Sequence, residues 1–285
     1  MIAARRTNDL LLAAHFKVSY AGKPVLRDAE FEIRRGEVLG LVGQSGSGKS
    51  TLGLAILGLL NRKQSRVEGT IKFQECDLLQ LSERELRERR GRSLALVLQS
   101  PLSSLNPALK IRTQLKEAWR AHASGSGDEC DGAIRSALES VSLPSDDEFL
   151  RKYPSQMSVG QAQRVLIAMA VIHRPALLIA DEATSALDVI TQSEILTLFR
   201  ELNRATGMSI LYISHDLASV AGICDRIAIL HDGQIVECRA TEEIFANPQH
   251  EYTKRLMAAL PQMPCASTVA SNSEAAKRAA ATARA

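Results

Sequence analysis

The chain has 285 residues, of which 45% are hydrophobic and 24% charged, and its net charge of +3 is too small to indicate nucleic-acid binding. Its five cysteines are scattered and form no C-x-x-C pair, which argues against a disulfide framework or zinc site and fits a reducing cytoplasm. No stretch approaches the roughly 20 apolar residues of a membrane span, so a partner would have to supply any such span.

The N-terminal part is predicted to form strands. Residues 10–42 alternate apolar and polar side chains, and a turn at 21–24 predicts an antiparallel edge. Tyr20 lies just before that turn. Its position favours an aromatic side chain packed on the core, and the alternative is a platform for a purine base. A further strand is predicted over 67–73 and a charged helix over about 82–90.

A glycine-rich stretch at 43–51 reads GQSGSGKST and fits the phosphate-binding P-loop pattern G-x-x-x-x-G-K-[ST]. An apolar strand over 38–42 precedes it and a helix begins near Lys49, which is the context that the motif requires. Lys49 is expected to reach the β- and γ-phosphates, and Ser50 to ligate Mg²⁺. The alternative is a plain turn between strand and helix. The predicted phosphate-binding residues are Gly43, Ser45, Gly46, Gly48, Lys49, Ser50 and Thr51.

Polar residues follow three other predicted strands. The strand over 93–98 ends at Gln99, the strand over 176–180 is followed by Asp181 and Glu182, and the strand over 208–213 is followed by Ser214 and His215. Ligands bind at the carboxyl ends of strands in α/β sheets. Asp181 is therefore a candidate Mg²⁺ ligand, Glu182 a candidate general base and His215 a candidate phosphate contact. The alternatives are an acidic loop and a structural histidine.

The remaining segments set the predicted domain boundaries. Strand signals disappear over about 101–173, which predicts a helical subdomain inserted into the α/β core, with a flexible linker at 124–128. A strand pair around a turn at 232–233 and helices over 242–246 and 252–260 close the fold. We expect one domain over 8–262, followed by an Ala/Ser-rich tail over 263–285 that is predicted to be disordered.

Further motifs carry a family resemblance that covers about residues 10–260. Residues 153–164, YPSQMSVGQAQR, resemble the signature sequence of ABC ATPases, and residues 181–188, DEATSALD, match the Walker B and D-loop run of that family. Gln99 matches its Q-loop, His215 its H-loop and Tyr20 its A-loop aromatic. The resemblance implies a P-loop NTPase of the ABC ATPase fold: a mainly parallel core sheet, an antiparallel β edge and the inserted helical subdomain.

The same resemblance implies site roles and partners. Tyr20 and Gln99 would join the ATP contacts, with Gln99 also at Mg²⁺ beside Ser50 and Asp181, and Glu182 and His215 would be catalytic. The signature residues Ser158, Gly160 and Gln161 would contact ATP held by a second ATPase subunit, either a copy or a paralogue. The resemblance also implies permease subunits as partners and, indirectly, a solute-binding protein. It implies a peripheral position on the cytoplasmic face of the inner membrane, and it implies no nucleic-acid partner.

Two segments resemble one subfamily. Residues 99–107 and 247–256 are similar to segments of oligopeptide and dipeptide importer ATPases, and nickel importers share much of the pattern. A soluble accessory ATPase of a phosphonate-degrading complex is an alternative. Val159 stands where the family usually has the first signature glycine, which leaves a catalytically weak partner subunit as a further alternative. Glu251 replaces the usual proline of the subfamily tail.

Overall fold

The computed structural model describes residues 9–259, which form a ten-stranded sheet with helices on both faces. The strands are β1 (Leu10–Tyr20), β2 (Lys23–Arg34), β3 (Val38–Val42), β4 (Ser65–Phe73), β5 (Cys76–Asp77), β6 (Leu94–Val97), β7 (Leu177–Asp181), β8 (Ser209–Ser214), β9 (Arg226–His231) and β10 (Gln234–Ala240). The α-helices are α1 (Lys49–Ile56), α2 (Glu83–Arg89), α3 (Pro101–Ser104), α4 (Ile111–Arg120), α5 (Gly127–Ser140), α6 (Asp147–Leu150), α7 (Val159–Val171), α8 (Val189–Thr206), α9 (Leu217–Ile223), α10 (Thr241–Ala246) and α11 (Glu251–Ala258). The predicted tail at 263–285 lies outside the described residues.

The sheet runs in the order β5-β4-β1-β2-β10-β9-β3-β8-β7-β6. β1 pairs antiparallel with β2 and β4, and β4 pairs antiparallel with β5, so the predicted antiparallel edge is confirmed. β9, β3, β8, β7 and β6 are parallel neighbours. The predicted strand pair around 232–233 is the antiparallel pair β9–β10, and β10 joins the two parts of the sheet where Gln234 lies opposite Asp28.

The central strand β3 is buried along its whole length because both faces of the sheet are covered. Val38 and Val42 pack in the core shared with the helical region and α8. Leu39 and Leu41 pack in the core shared with α1 and the antiparallel strands. Side chains alternate between the faces of a strand, so neighbouring residues of β3 serve two separate cores.

Three strands present their carboxyl ends at one edge of this sheet. β8 lies between β3 and β7 and is parallel to both. The P-loop follows β3, Asp181 ends β7 and His215 follows β8. The topology therefore collects the residues predicted from separate segments at the edge where α/β sheets bind ligands.

The helical region agrees with the prediction in kind but differs in one detail. Residues 101–173 contain α3 to α7, as expected. The predicted linker at 124–128 is shorter, because Ser126 caps α5 and its N–H donates to Glu129 Oε2 at 2.8 Å, so the helix already includes Gly127. Outside this region, helices α8 and α9 were not predicted. Within residues 9–259, none of the helices combines the length and apolar character needed to cross a bilayer.

Candidate active site

The P-loop turns from β3 into α1. Gly48 is the N-cap of α1 with a φ of 105°, a left-handed conformation that glycine adopts without strain. A Cβ atom at Gly48 would lie 2.7 Å from Leu26 Cδ2, so β2 packs directly against the loop. No side chain caps α1, which leaves its first N–H groups pointing toward the loop. This geometry fits a phosphate at the positive end of the helix.

Lys49 places its ammonium inside the loop, and only 5% of its surface is exposed. Its Nζ donates to the carbonyl oxygens of Gly43 at 2.9 Å and Gln44 at 3.0 Å, and lies 4.0 Å from Glu182 Oε1. Burial lowers the pKa of Lys49, while the carboxylates of Glu182 and Asp181 oppose that shift. The ammonium is therefore poorly solvated, and the negative charge of a phosphate would stabilise it.

Ser50 and Asp181 bring a hydroxyl of α1 beside the carboxylate that ends β7. Ser50 Oγ donates to Asp181 Oδ1 at 3.2 Å. Burial raises the pKa of Asp181, and the hydrogen bond from Ser50 opposes that rise. Mg²⁺ is usually held by one or two protein oxygens together with waters and phosphate oxygens. The donor set of this pair fits the predicted Mg²⁺ site.

Glu182 contacts two of the other predicted site residues. Its Oε1 lies 3.3 Å from Nδ1 of His215 and 4.0 Å from Nζ of Lys49. Its backbone is left-handed, with a φ of 47°, and its N–H donates to the carbonyl of Ile213 at 2.9 Å. Non-glycine residues held in this conformation are uncommon and concentrate at functional sites. Ammonium, carboxylate and imidazole thus form one cluster at the P-loop.

The signature residues lie at the N-terminus of α7. Ser158 is exposed and caps the helix: its Oγ accepts from the N–H of Gln161 at 3.1 Å, and its own N–H donates to Gln161 Oε1 at 3.2 Å. Gly160 packs against α8, where a Cβ would lie 2.8 Å from Thr191 Cγ2. Among the described residues, no hydrogen bond joins Ser158, Gly160 or Gln161 to the P-loop of the same chain.

Tyr20 and Gln99 are not tied to this cluster. Tyr20 is half-buried at the end of β1 and packs against the core of the antiparallel strands. Gln99 is exposed in the turn after β6. No hydrogen bond within residues 9–259 joins either side chain to the P-loop or to Asp181. Their roles toward the purine base and Mg²⁺ stay predictions.

A family model described as ABC transporter matches residues 26–185, more than half of the chain. The chain also aligns with the dipeptide transport ATP-binding protein DppD of Bacillus subtilis, with 41% identity over 84% of this chain and 71% of that protein. This chain belongs to the ABC transporter family. The family predicted from the motifs is therefore confirmed.

Other relatives of this ABC transporter protein carry related names. It is 38% identical to the oligopeptide transport ATP-binding protein OppD of Lactococcus lactis subsp. cremoris, over 86% of this chain and 73% of that protein. It is 40% identical to the glutathione import ATP-binding protein GsiA of Escherichia coli K12, over 84% of this chain but only 39% of that protein.

Solved structures confirm the ABC ATPase fold. The post-hydrolysis dimer of the ATP-binding cassette MJ0796, bound to ADP and Pi, matches with a TM-score of 0.69 and 27% identity, over 81% of this chain and 98% of that one. CbiO1 from Clostridium perfringens, part of the ABC transporter complex cbiONQ, matches with a TM-score of 0.72 and 27% identity, over 89% of this chain and 97% of that one.

One supporting residue of this ABC ATPase site was missed in the sequence. Tyr212 is buried in β8, and its hydroxyl shares a 2.8 Å hydrogen bond with the hydroxyl of Thr184, in the loop after Asp181 and Glu182. Burial raises the pKa of Tyr212, so the hydroxyl keeps its proton. A tyrosine within the buried run 210–213 was the available signal, because a buried hydroxyl requires a partner.

Proposed function

We propose that this chain is the ATP-binding and ATP-hydrolysing subunit of an ABC importer of the oligopeptide or dipeptide type. The observation that carries the proposal is the cluster of Lys49, Glu182 and His215 at the P-loop, because it joins a phosphate-binding ammonium to a candidate general base. The relatives named for dipeptide, oligopeptide and glutathione transport support a peptide as the solute.

The proposed mechanism assigns each residue a separate task. Ser50 and Asp181 would hold Mg²⁺, which when bound neutralises negative charge on the phosphates. Lys49 would exchange its contacts with loop carbonyls for phosphate oxygens. Glu182 would accept a proton from the attacking water, and His215, 3.3 Å away, would hold the carboxylate in position. The remaining ATP contacts would come from Tyr20, Gly43, Ser45, Gly46, Gly48, Thr51 and Gln99.

A second ATPase subunit, a copy or a paralogue, would complete the site. Ser158, Gly160 and Gln161 surround the start of α7, where helix N–H groups can meet a phosphate held by the partner. The related cassette solved as a dimer with ADP and Pi supports this arrangement. Closure of the dimer on ATP would then act on permease subunits at the cytoplasmic face of the inner membrane, and a solute-binding protein would deliver the peptide to those permeases.

The two alternative functions have less support. A phosphonate-degrading complex is not favoured, since the relatives are named as ATP-binding proteins of transport and import systems. A catalytically weak partner subunit is suggested only by Val159, whereas Lys49, Asp181, Glu182 and His215 are all present. Purification of the tagged chain from membranes tests the first alternative: permeases should co-purify, and soluble lyase subunits in their place would contradict the importer.

Replacing Glu182 by Gln tests the proposed chemistry. An amide cannot take a proton from water, so ATP hydrolysis should fall by about 10²- to 10⁴-fold. ATP binding should persist, because the P-loop is untouched, and an ATP-bound dimer should accumulate. Phosphate release measures the first effect, and size-exclusion chromatography with light scattering measures the second.

The matched control is Glu201→Gln on the exposed face of α8, which should hydrolyse ATP at the wild-type rate. Wild-type hydrolysis by Glu182→Gln would show that another group is the general base. A wild-type protein that neither binds nor hydrolyses ATP would contradict the proposed function as a whole.

A further inference from the structure

Helix α11, the last helix of the described residues, reaches the P-loop through Tyr252, which is 3% exposed. The Tyr252 hydroxyl accepts a hydrogen bond from the backbone N–H of Gln44 at 3.1 Å, across 208 residues of sequence. Its ring stacks on His231 at the end of β9, with ring centroids 3.8 Å apart and planes 12° apart. The motif at 247–256 therefore contains a residue that touches the nucleotide-binding loop, a contact that the resemblance to importer ATPases does not explain.

The segment before Tyr252 is anchored to the sheet. Glu237 of β10 is buried, and its carboxylate accepts from the N–H groups of Gln249 at 3.0 Å and His250 at 3.1 Å. Burial would raise the pKa of Glu237, but these N–H groups and neighbouring side chains, among them the charged Arg239, together lower it. His250 Nδ1 in turn accepts from the N–H of Tyr252 at 3.2 Å and caps α11. The position of Tyr252 is thus set from several sides.

Gln44 is held at both of its backbone polar groups. Its carbonyl accepts from Lys49 Nζ at 3.0 Å, while its N–H donates to Tyr252. If Lys49 turns to a phosphate, as the proposed function requires, Gln44 keeps the tyrosine contact at its N–H and a bond from the Ser47 N–H to its carbonyl at 3.2 Å. Gln44 and His231 also line a cavity of about 300 Å³ beside the loop, so the contact lies next to space that a ligand can enter.

We propose that Tyr252 is a positioning residue for the nucleotide site: α11 holds the P-loop in its phosphate-binding shape. The inference rests on the proposed function, since it requires the P-loop to bind ATP. Coupling between two sites is reciprocal. ATP binding should therefore also order α11, even though no residue of α11 lies in the P-loop itself.

The test is Tyr252→Phe in the full chain, which keeps the ring on His231 and removes only the hydroxyl. Loss of one hydrogen-bond acceptor should weaken ATP binding by about two- to tenfold, measured by calorimetry with MgATP. Hydrogen exchange of the backbone amides supplies a second measurement, whose ATP dependence would not change if Tyr252 had a purely structural role. ATP should slow the exchange of residues 251–258 in the wild type, and this effect should be reduced in the variant.

A second variant keeps the proposal testable if Tyr252→Phe folds poorly. Glu237→Gln removes the carboxylate that anchors Gln249 and His250, without touching Tyr252 or the loop, and should also weaken ATP binding. The control is Ser140→Ala, which removes an exposed hydroxyl whose hydrogen bond, to the carbonyl of Ala137, lies within α5 and away from the site. The inference would be overturned if a folded Tyr252→Phe or Glu237→Gln variant binds ATP with wild-type affinity and also shows wild-type protection of residues 251–258 by ATP. Failure of the wild type to bind ATP would overturn the proposed function.

Discussion

At the scale of residues, the site holds charged groups in surroundings that disfavour their charge. Burial lowers the pKa of Lys49 and raises the pKa of Asp181, so both groups are shifted toward their neutral forms. Such shifts oppose folding of the protein without nucleotide at neutral pH. Binding sites are commonly less stable without their ligand for this reason, because the charge of the ligand balances the charge of the buried group.

Asp181→Asn should therefore stabilise the nucleotide-free protein while weakening Mg²⁺-dependent ATP hydrolysis. The folded pKa of Asp181 lies above its unfolded value, so its carboxylate opposes folding above the folded pKa. That cost vanishes below the unfolded value of about 3.9. The midpoint of thermal unfolding should rise by about 1–4 °C at pH 7, and the gain should fade toward pH 4.

Asp131→Asn is the contrasting control for this measurement. Burial would raise the pKa of Asp131, but hydrogen bonds from Arg112 and Lys116 lower it overall. This carboxylate therefore favours folding above its unfolded pKa, and its loss should lower the unfolding midpoint at pH 7. Equal midpoint shifts in both variants would contradict the argument for Asp181.

At the scale of elements, Gly160 links the signature helix α7 to α8. Gly160→Ala would place a methyl group 2.8 Å from Thr191 Cγ2, and we expect a loss of about 1–3 kcal/mol in unfolding free energy. Thr191→Ser removes that Cγ2 atom, and serine can keep the hydroxyl bond to Asp188, 2.7 Å long. The double variant should regain most of the stability, which denaturant unfolding in a double-mutant cycle measures.

Measuring both stability and ATPase activity in these variants separates two explanations for a glycine at position 160: close packing against Thr191 and a contact with a phosphate. If stability returns in the double variant but ATPase activity does not, the result would support the proposed contact of this glycine with a phosphate held by a second subunit. Stability that does not return in the double variant would show that the clash with Thr191 is the wrong explanation. Gly132→Ala in α5 is the control, since its Cβ would meet nothing within 4 Å and should not destabilise the protein.

Helix α8 was missed in the sequence analysis although the sequence contains the signals that predict it. Its buried side chains include Ile195, Leu198, Phe199 and Leu202, at positions i, i+3, i+4 and i+7, which is the pattern of an amphipathic helix. Asp188 caps the helix by accepting from the N–H groups of Ile190 and Thr191. Both signals were present in the sequence, within the run next to the D-loop.

At the scale of the whole molecule, the predicted domain boundary can be tested by truncation. Removing residues 263–285 should leave the ATP affinity and the unfolding midpoint unchanged, if the ATPase domain ends near residue 262. Removing all residues from 247 onward also removes α11 and its contact with Gln44, and should weaken ATP binding at least as much as Tyr252→Phe. If removing only residues 263–285 already weakens ATP binding, part of the tail belongs to the ATPase domain.

The sequence by itself determined the family, the fold class and the chemistry available at the site. These follow from local patterns: the P-loop, the acids after β7 and the histidine after β8 each stand in a short stretch whose type can be recognised without knowing its neighbours. Only the tertiary structure decided which groups meet. The 3.3 Å contact of Glu182 with His215, the approach of Gly160 to Thr191 and the bond from Gln44 to Tyr252 join distant segments. Such distances depend on how the sheet and its helices pack, and no spacing along the chain encodes them.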